Sequence, residues 1–326
     1  MLRRLAPLLF AASALFAPDA AWAGDAAQAM GERGGAADEA PKSELAPDPW
    51  CPAGVETLPG EICYVPAPAK AQRRTLVIFL HGLTDVGSGW QHAMVRGMAQ
   101  GGQRWGYAVL APKGRVGIGP GRKASQIAWP TAEAARAQHE DEILASWQAA
   151  RKLVEAREGQ PFDEVFVMGF SNGAYYGSSL ALRGRLEVDG YAVFAGGSAP
   201  EGSERAARGV KNRRPVFVGI ASRDDTAKKG RELAAALKRL GWPHEASTRP
   251  VGHVVADVQL ERALGWLRAR VDVERGKLVA AAPAAPAEGD DEAKPAPTKK
   301  KVASKRAAPK PKKKAAPAKK KSAAKR

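Results

Sequence analysis

The sequence predicts an α/β protein with a mostly parallel central sheet and helices on both faces. Three observations carry that reading. Five apolar runs, Thr75–Leu80, Tyr107–Ala111, Val165–Gly169, Tyr191–Ala195 and Val216–Ile220, are short and bounded by Gly, Pro or charge, as in strands buried on both faces of a parallel sheet. Longer amphipathic stretches alternate with them, at about 131–158, 173–184, 226–240 and 255–270, and such alternation builds a layered α/β fold. Finally, 44% of the 326 residues are hydrophobic, enough for one globular domain of roughly 200–250 residues.

In chain order, Met1-Leu2-Arg3-Arg4 precedes the apolar run Leu5 to Ala17, and Ala21-Trp22-Ala23 follows. A basic start, a short hydrophobic segment and small residues at a cleavage point have the layout of a secretory signal over residues 1–23. The apolar run is too short to span a bilayer and contains Pro7, so no membrane-spanning segment is expected in the mature chain, and a periplasmic or extracellular location follows. Residues 24–49, rich in Ala, Gly, Glu and Asp without periodicity, read as a disordered spacer.

The folded domain is expected over 50–275. It opens with the only two cysteines, Cys51 and Cys63, flanked by Pro52, Gly54, Pro59 and Gly60. In an exported chain a lone pair this close reads as a disulfide stapling the entry to the domain. The helix over 131–158 places Ile143, Trp147, Ala150 and Val154 on one side, and the last helix directs Val258, Ala263, Trp266 and Leu267 to one side.

From 276 onward the composition turns to Ala and Pro with an acidic patch, then to Lys, Ala and Pro. Residues 293–326 hold fifteen Lys or Arg and no acid, and Arg3 and Arg4 supply the other two units of the net charge of +17. Residues 5–292 are therefore neutral, which excludes a uniformly basic protein. The tail reads as disordered and polycationic, able to hold anionic polymer or lipid headgroups by counterion release. It contains no aromatic residue for base stacking, so no specific nucleic-acid recognition is expected.

The chemistry centres on Gly169-Phe170-Ser171-Asn172-Gly173, which follows one strand and opens the next helix. In that position G-x-S-x-G is a nucleophile elbow: the glycines allow a sharp turn and the serine hydroxyl stands clear at the carboxyl edge of the sheet. A serine of this kind needs an acid and a base later in the chain, in that order. His244 and His253 are the histidines that follow; His253, in the loop Val251-Gly252-His253-Val254, is the candidate base, and His244 an exposed turn residue. The acid should end the preceding strand, where Asp224 is the candidate, Asp225 the alternative, and the unused one a cap for the helix from Thr226. Oxyanion donors are expected from the backbone N–H of Asn172 and of Leu83, which follows Gly82 after the first strong strand. His81 reads as support for that loop; no metal cluster and no cofactor are expected.

At these residues the sequence resembles the α/β-hydrolase superfamily. Ile78 to Trp90 is similar to the strand and HGLGD-x-G-x-G-W loop of the phospholipase/carboxylesterase group that includes acyl-protein thioesterases, with Thr84 in place of a glycine. The elbow, with Asn after the serine, resembles polyhydroxybutyrate-depolymerase and feruloyl-esterase-like enzymes, with Ala174 where that branch has a glycine. The resemblance implies an α/β-hydrolase fold and an exported serine esterase cleaving carboxylic or thio esters, small or polymeric. The contrasting expectation is a non-catalytic hydrolase-like scaffold that presents the basic tail. The Gly-rich segment 112–130, with Arg115, Arg122, Lys123 and Trp129, reads either as a solvated loop or as an irregular wall of the site whose charges favour an acidic or carboxylated substrate.

Overall fold

A computed structural model of the chain describes residues 49–276, apart from 122 and 200–202. The signal, the spacer and the basic tail, but for Pro49 and Gly276, lie outside the described residues. The elements are β1 (Glu56–Leu58), β2 (Ile62–Val65), β3 (Thr75–Leu80), β4 (Thr84–Asp85), α1 (Trp90–Trp105), β5 (Ala108–Pro112), β6 (Arg115–Val116), β7 (Gln126–Ala128) and α2 (Glu133–Glu158), followed by β8 (Glu164–Phe170), α3 (Asn172–Arg183), β9 (Gly190–Phe194), α4 (Ser203–Gly209), β10 (Val216–Ala221), α5 (Ala227–Arg239), β11 (His244–Arg249) and α6 (Asp257–Glu274).

The main sheet has eight strands in the order β1-β2-β5-β3-β8-β9-β10-β11. It is parallel from β5 to β11, while β2 runs antiparallel to both β1 and β5. The pleat divides the core. Leu76, Ile78, Val165, Val167, Val193 and Val218 face α2, α3 and α5. Val77, Phe79, Phe166, Met168, Ala192 and Phe217 face α1 and α6. Both faces being covered explains why these strands carry apolar residues on both sides; each fully buried side chain of this size contributes roughly 1.5–3 kcal/mol.

The five apolar runs all form strands, with ends moved by a residue or so, and the four amphipathic stretches all form helices. Ile143, Trp147, Ala150 and Val154 are buried in α2, as their spacing requires. In α6 the buried side is Leu260, Ala263, Leu264, Leu267 and Val271, whereas Val258 is exposed; the register is set by the sheet below. Helix α1 escapes sequence reading because Gly97, Gly101 and Gly102 dilute its propensity. Two of those glycines are required: a Cβ at Gly101 would stand 2.3 Å from the Tyr107 hydroxyl, and one at Gly102 would stand 2.6 Å from the Tyr107 carbonyl oxygen.

The segment 112–130 is more ordered than its composition suggests. Strands β6 and β7 pair with each other and β7 pairs with β4, forming a three-stranded sheet beside the end of β3. Cys51 and Cys63 are joined in a disulfide with Cα atoms 5.4 Å apart, tying the chain ahead of β1 to β2. No helix among the described residues is long and apolar enough to cross a membrane.

Candidate active site

Parallel strands deliver their carboxyl ends to one edge of the sheet, and the candidate residues collect there. Ser171 lies between β8 and α3 with φ 52° and ψ −116°, a left-handed conformation rarely adopted by a residue with a side chain. It is held by its N–H, which donates to Phe194 O (3.0 Å), and by its carbonyl, which accepts from Ala174 N–H (2.9 Å). The flanking glycines are obligatory: a Cβ at Gly169 would stand 2.3 Å from Gly173 O. Strain at a non-glycine residue, fixed by its surroundings, presents the hydroxyl at the start of α3, where the helix dipole favours negative charge.

Asp224 and His253 come from two loops that hold each other. Ser222 N–H donates to Arg249 O (2.8 Å) and Arg223 N–H to Val251 O (3.1 Å), joining the loop after β10 to the one after β11. His253 Nδ1 meets Asp224 Oδ2, and His253 Nε2 lies 2.8 Å from Ser171 Oγ. With the carboxylate accepting, Nδ1 carries the proton and Nε2 is free to accept from the serine hydroxyl. The imidazole packs against the Phe170 ring, centroids 4.9 Å apart. The Asp224 side chain is 5% exposed and that of His253 is 45% exposed, so the imidazole reaches solvent and the carboxylate does not. Burial opposes ionisation of Asp224, but the Thr226 N–H (2.9 Å to Oδ1) and the His253 imidazole outweigh it and hold the carboxyl below its usual range.

Asp225 is exposed, and no hydrogen bond to its side chain occurs among the described residues. It is not the helix cap expected of the unused acid. Asp224 takes that bond itself, through Thr226 N–H, so one carboxylate holds both the imidazole and the entry to α5. Asp257 opens α6 and pairs with Arg104 (2.8 Å).

Gly82 sits directly against the serine: a Cβ there would stand 3.3 Å from Ser171 Cβ and 3.1 Å from the Phe170 ring. Leu83 is the next residue. Asn172 is the first residue of α3, where a backbone N–H has no acceptor within the helix. The two expected donors therefore belong to the loop between β3 and β4 and to the start of α3. His81 is buried; its Nδ1–H donates to Gly82 O (2.6 Å) and its Nε2 accepts from Gly114 N–H (3.0 Å). Burial lowers its pKa to about 4, so the ring is neutral and serves to brace the loop.

Of the residues expected to wall the site, Arg115 is neutralised by Glu142 (2.7 Å), Lys123 is exposed and Arg122 lies outside the described residues. Trp129 is 0% exposed, turned inward beneath His81. Its indole Nε1–H donates to His81 O (2.9 Å) and its backbone N–H donates to Asn172 Oδ1 (2.8 Å). The sequence carried no signal for this beyond an aromatic residue at the close of a Gly-rich segment. His244 opens β11, half-buried, with Nδ1 2.8 Å from Trp242 O and no bond to this site. Among the described residues, no group of three or more His, Cys, Asp or Glu could hold a metal ion.

Residues 63–259 match the dienelactone hydrolase family. Over 113 residues the chain is 33% identical to acyl-protein thioesterase 1 homolog 2 of Dictyostelium discoideum, covering 32% of this chain and 50% of that protein. It is 23% identical over 225 residues to acyl-protein thioesterase 1 of Eremothecium gossypii, covering 65% of this chain and 94% of that protein. The first of these matches thus spans half the relative's length. Among solved structures, a carboxylesterase from Mesorhizobium loti aligns with TM-score 0.46 at 20% identity, over 64% of this chain and 93% of that one. A Bacillus cereus carboxylesterase aligns with TM-score 0.46 at 15% identity over the same shares. The family match covers more than half of the chain and takes in Ser171, Asp224 and His253; this α/β-hydrolase chain belongs to the dienelactone hydrolase family.

Proposed function

We propose that this protein is a serine ester hydrolase working through an acyl-enzyme. The observation that carries the reading is the unbroken hydrogen-bonded path from Asp224 through His253 to the hydroxyl of Ser171. Ser171 Oγ attacks the ester carbonyl as its proton passes to His253 Nε2. The oxyanion of the tetrahedral intermediate is held by the N–H groups of Leu83 and Asn172, each such donor worth about 3–4 kcal/mol. Collapse expels the alcohol, which takes the proton from Nε2. Water then gives a proton to Nε2 and attacks the acyl carbon, and the second collapse releases the acid and returns the proton to Ser171. Asp224 stays ionised throughout, keeping the proton on Nδ1 and stabilising the imidazolium.

Membership of a hydrolase family agrees with this reaction class, and the thioesterase relatives extend the proposal to thioesters. Export is part of the proposal: the signal-like residues 1–23 favour it, and the Cys51–Cys63 disulfide suits an oxidising compartment. The test is labelling by a fluorophosphonate probe together with turnover of p-nitrophenyl acetate. Both should vanish in Ser171→Ala, and equal turnover by that variant ends the reading.

A further inference from the structure

We propose that Trp129 is a positioning residue that sets the spacing of the two oxyanion donors, an inference that rests on the esterase reading above. The donors belong to separate elements: Leu83 follows the end of β3, and Asn172 opens α3. An oxyanion site works only when both N–H groups lie within a few tenths of an ångström of their places, so something must fix one element against the other. Trp129 bonds to both sides. Its indole N–H holds His81 O (2.9 Å), two residues before Leu83, and its backbone N–H holds the side chain of Asn172 (2.8 Å).

Trp129 is itself fully buried and packed among other rings. It stacks on Tyr176 (centroids 5.9 Å apart, planes at 5°) and meets the edge of Trp147 at 5.5 Å. On its other side lies His81, 4.8 Å away, whose far partner is Trp50 at 4.9 Å. Asn172 is buried and its Oδ1 is occupied by the Trp129 N–H. Its side chain therefore acts as the anchor of this tie, while its backbone N–H is left for the oxyanion.

A tryptophan that merely fills the core would give a different result on substitution. Trp129→Phe deletes the indole N–H and keeps an aromatic ring. Trp147→Phe disturbs the same cluster, yet Trp147 makes no hydrogen bond to His81 or Asn172. Trp129→Phe should lower kcat about 10- to 100-fold with little change in KM, as small misplacements do. It should leave the pH profile of kcat/KM in place, because His253 and Asp224 are untouched. Phenylboronic acid, which forms a tetrahedral anion on the serine, should lose affinity by the same factor as kcat. Trp147→Phe should lower Tm and leave kcat near the wild-type value.

The proposal is overturned if Trp129→Phe keeps wild-type kcat, or if both variants lose kcat in step with Tm. Should Trp129→Phe fail to fold, Asn172→Ala cuts the same tie and retains the backbone N–H; it should show the same loss of kcat and of boronate affinity, and a wild-type kcat in it overturns the proposal. Wild-type protein that the fluorophosphonate does not label removes the esterase reading and this inference together. Labelled, active wild type with an unaffected Trp129→Phe removes this inference alone.

Discussion

A Cβ on Gly173 would stand 2.1 Å from the carbonyl oxygen of Leu80. The first turn of α3 therefore lies directly on the end of β3, and this approach sets Ser171 beside the loop that follows Leu80. Moving the helix away to admit a methyl group would also displace Ser171, because Gly169 and Gly173 are in contact across the elbow. Overpacking of this kind costs about 1–3 kcal/mol where neighbours can yield, and here the neighbour is backbone. Gly173→Ala should lower Tm sharply and abolish fluorophosphonate labelling; a variant labelled at the wild-type rate would show that the approach is not required.

Asp224 and Asp225 are adjacent in sequence and unequal in position. Only Asp224 reaches His253, and that contact helps to hold its carboxyl below the usual range. Asp224→Asn should lower kcat by about 10³- to 10⁴-fold, the scale found when an orienting carboxylate of a Ser-His-Asp triad becomes an amide. Asp225→Asn should change kcat little. Steady-state turnover of p-nitrophenyl acetate decides the matter, and a comparable loss in both variants would mean that the acid has been misassigned.

His81 gives the fold an acid sensitivity that can be read apart from catalysis. Its folded-state pKa is lowered from 6.5 to about 4 by burial, so between those values the unfolded chain binds a proton that the folded one does not. Stability therefore falls as pH drops through 6.5 and levels off below 4. Linkage puts the loss between pH 7 and pH 5 at about 2 kcal/mol from this group. Urea unfolding at the two pH values measures it. His81→Asn should be less stable at pH 7 and show a smaller decline toward pH 5; an undiminished decline would assign the sensitivity to other groups.

Much of this arrangement is legible in the sequence because its signals are local. The parallel strands are buried on both sides, so Thr75–Leu80 and Val216–Ile220 stand out as apolar runs whatever packs on them. The elbow is five consecutive residues, and the order serine, acid, base narrows the partners to a few positions. Helix α1 is hidden because contact with Tyr107 demands glycine where helix propensity would favour other residues. Strands β4 and β6 are two residues long and β7 three, too short for periodicity to register. Trp129 acts through partners 43 and 48 positions away in the chain, a relation that exists only once the sheet has formed.

The disulfide links stability to the same region. Cys51–Cys63 closes a loop of 12 residues in sequence separation, and loop closure of this length stabilises by about 3 kcal/mol through restriction of the unfolded chain. It also fixes the neighbouring Trp50, which is buried, donates its indole N–H to Ala111 O (3.4 Å) and packs on His81. Reduction should therefore lower the urea midpoint of the wild-type protein substantially. The double variant Cys51→Ser, Cys63→Ser should start from that lower midpoint and be indifferent to reductant, which separates loss of the bond from other effects of the reagent. Restriction of the unfolded chain leaves the folded site in place, so kcat in the absence of urea should fall far less than stability does. A wild-type midpoint unmoved by complete reduction would show that the staple contributes nothing to the fold.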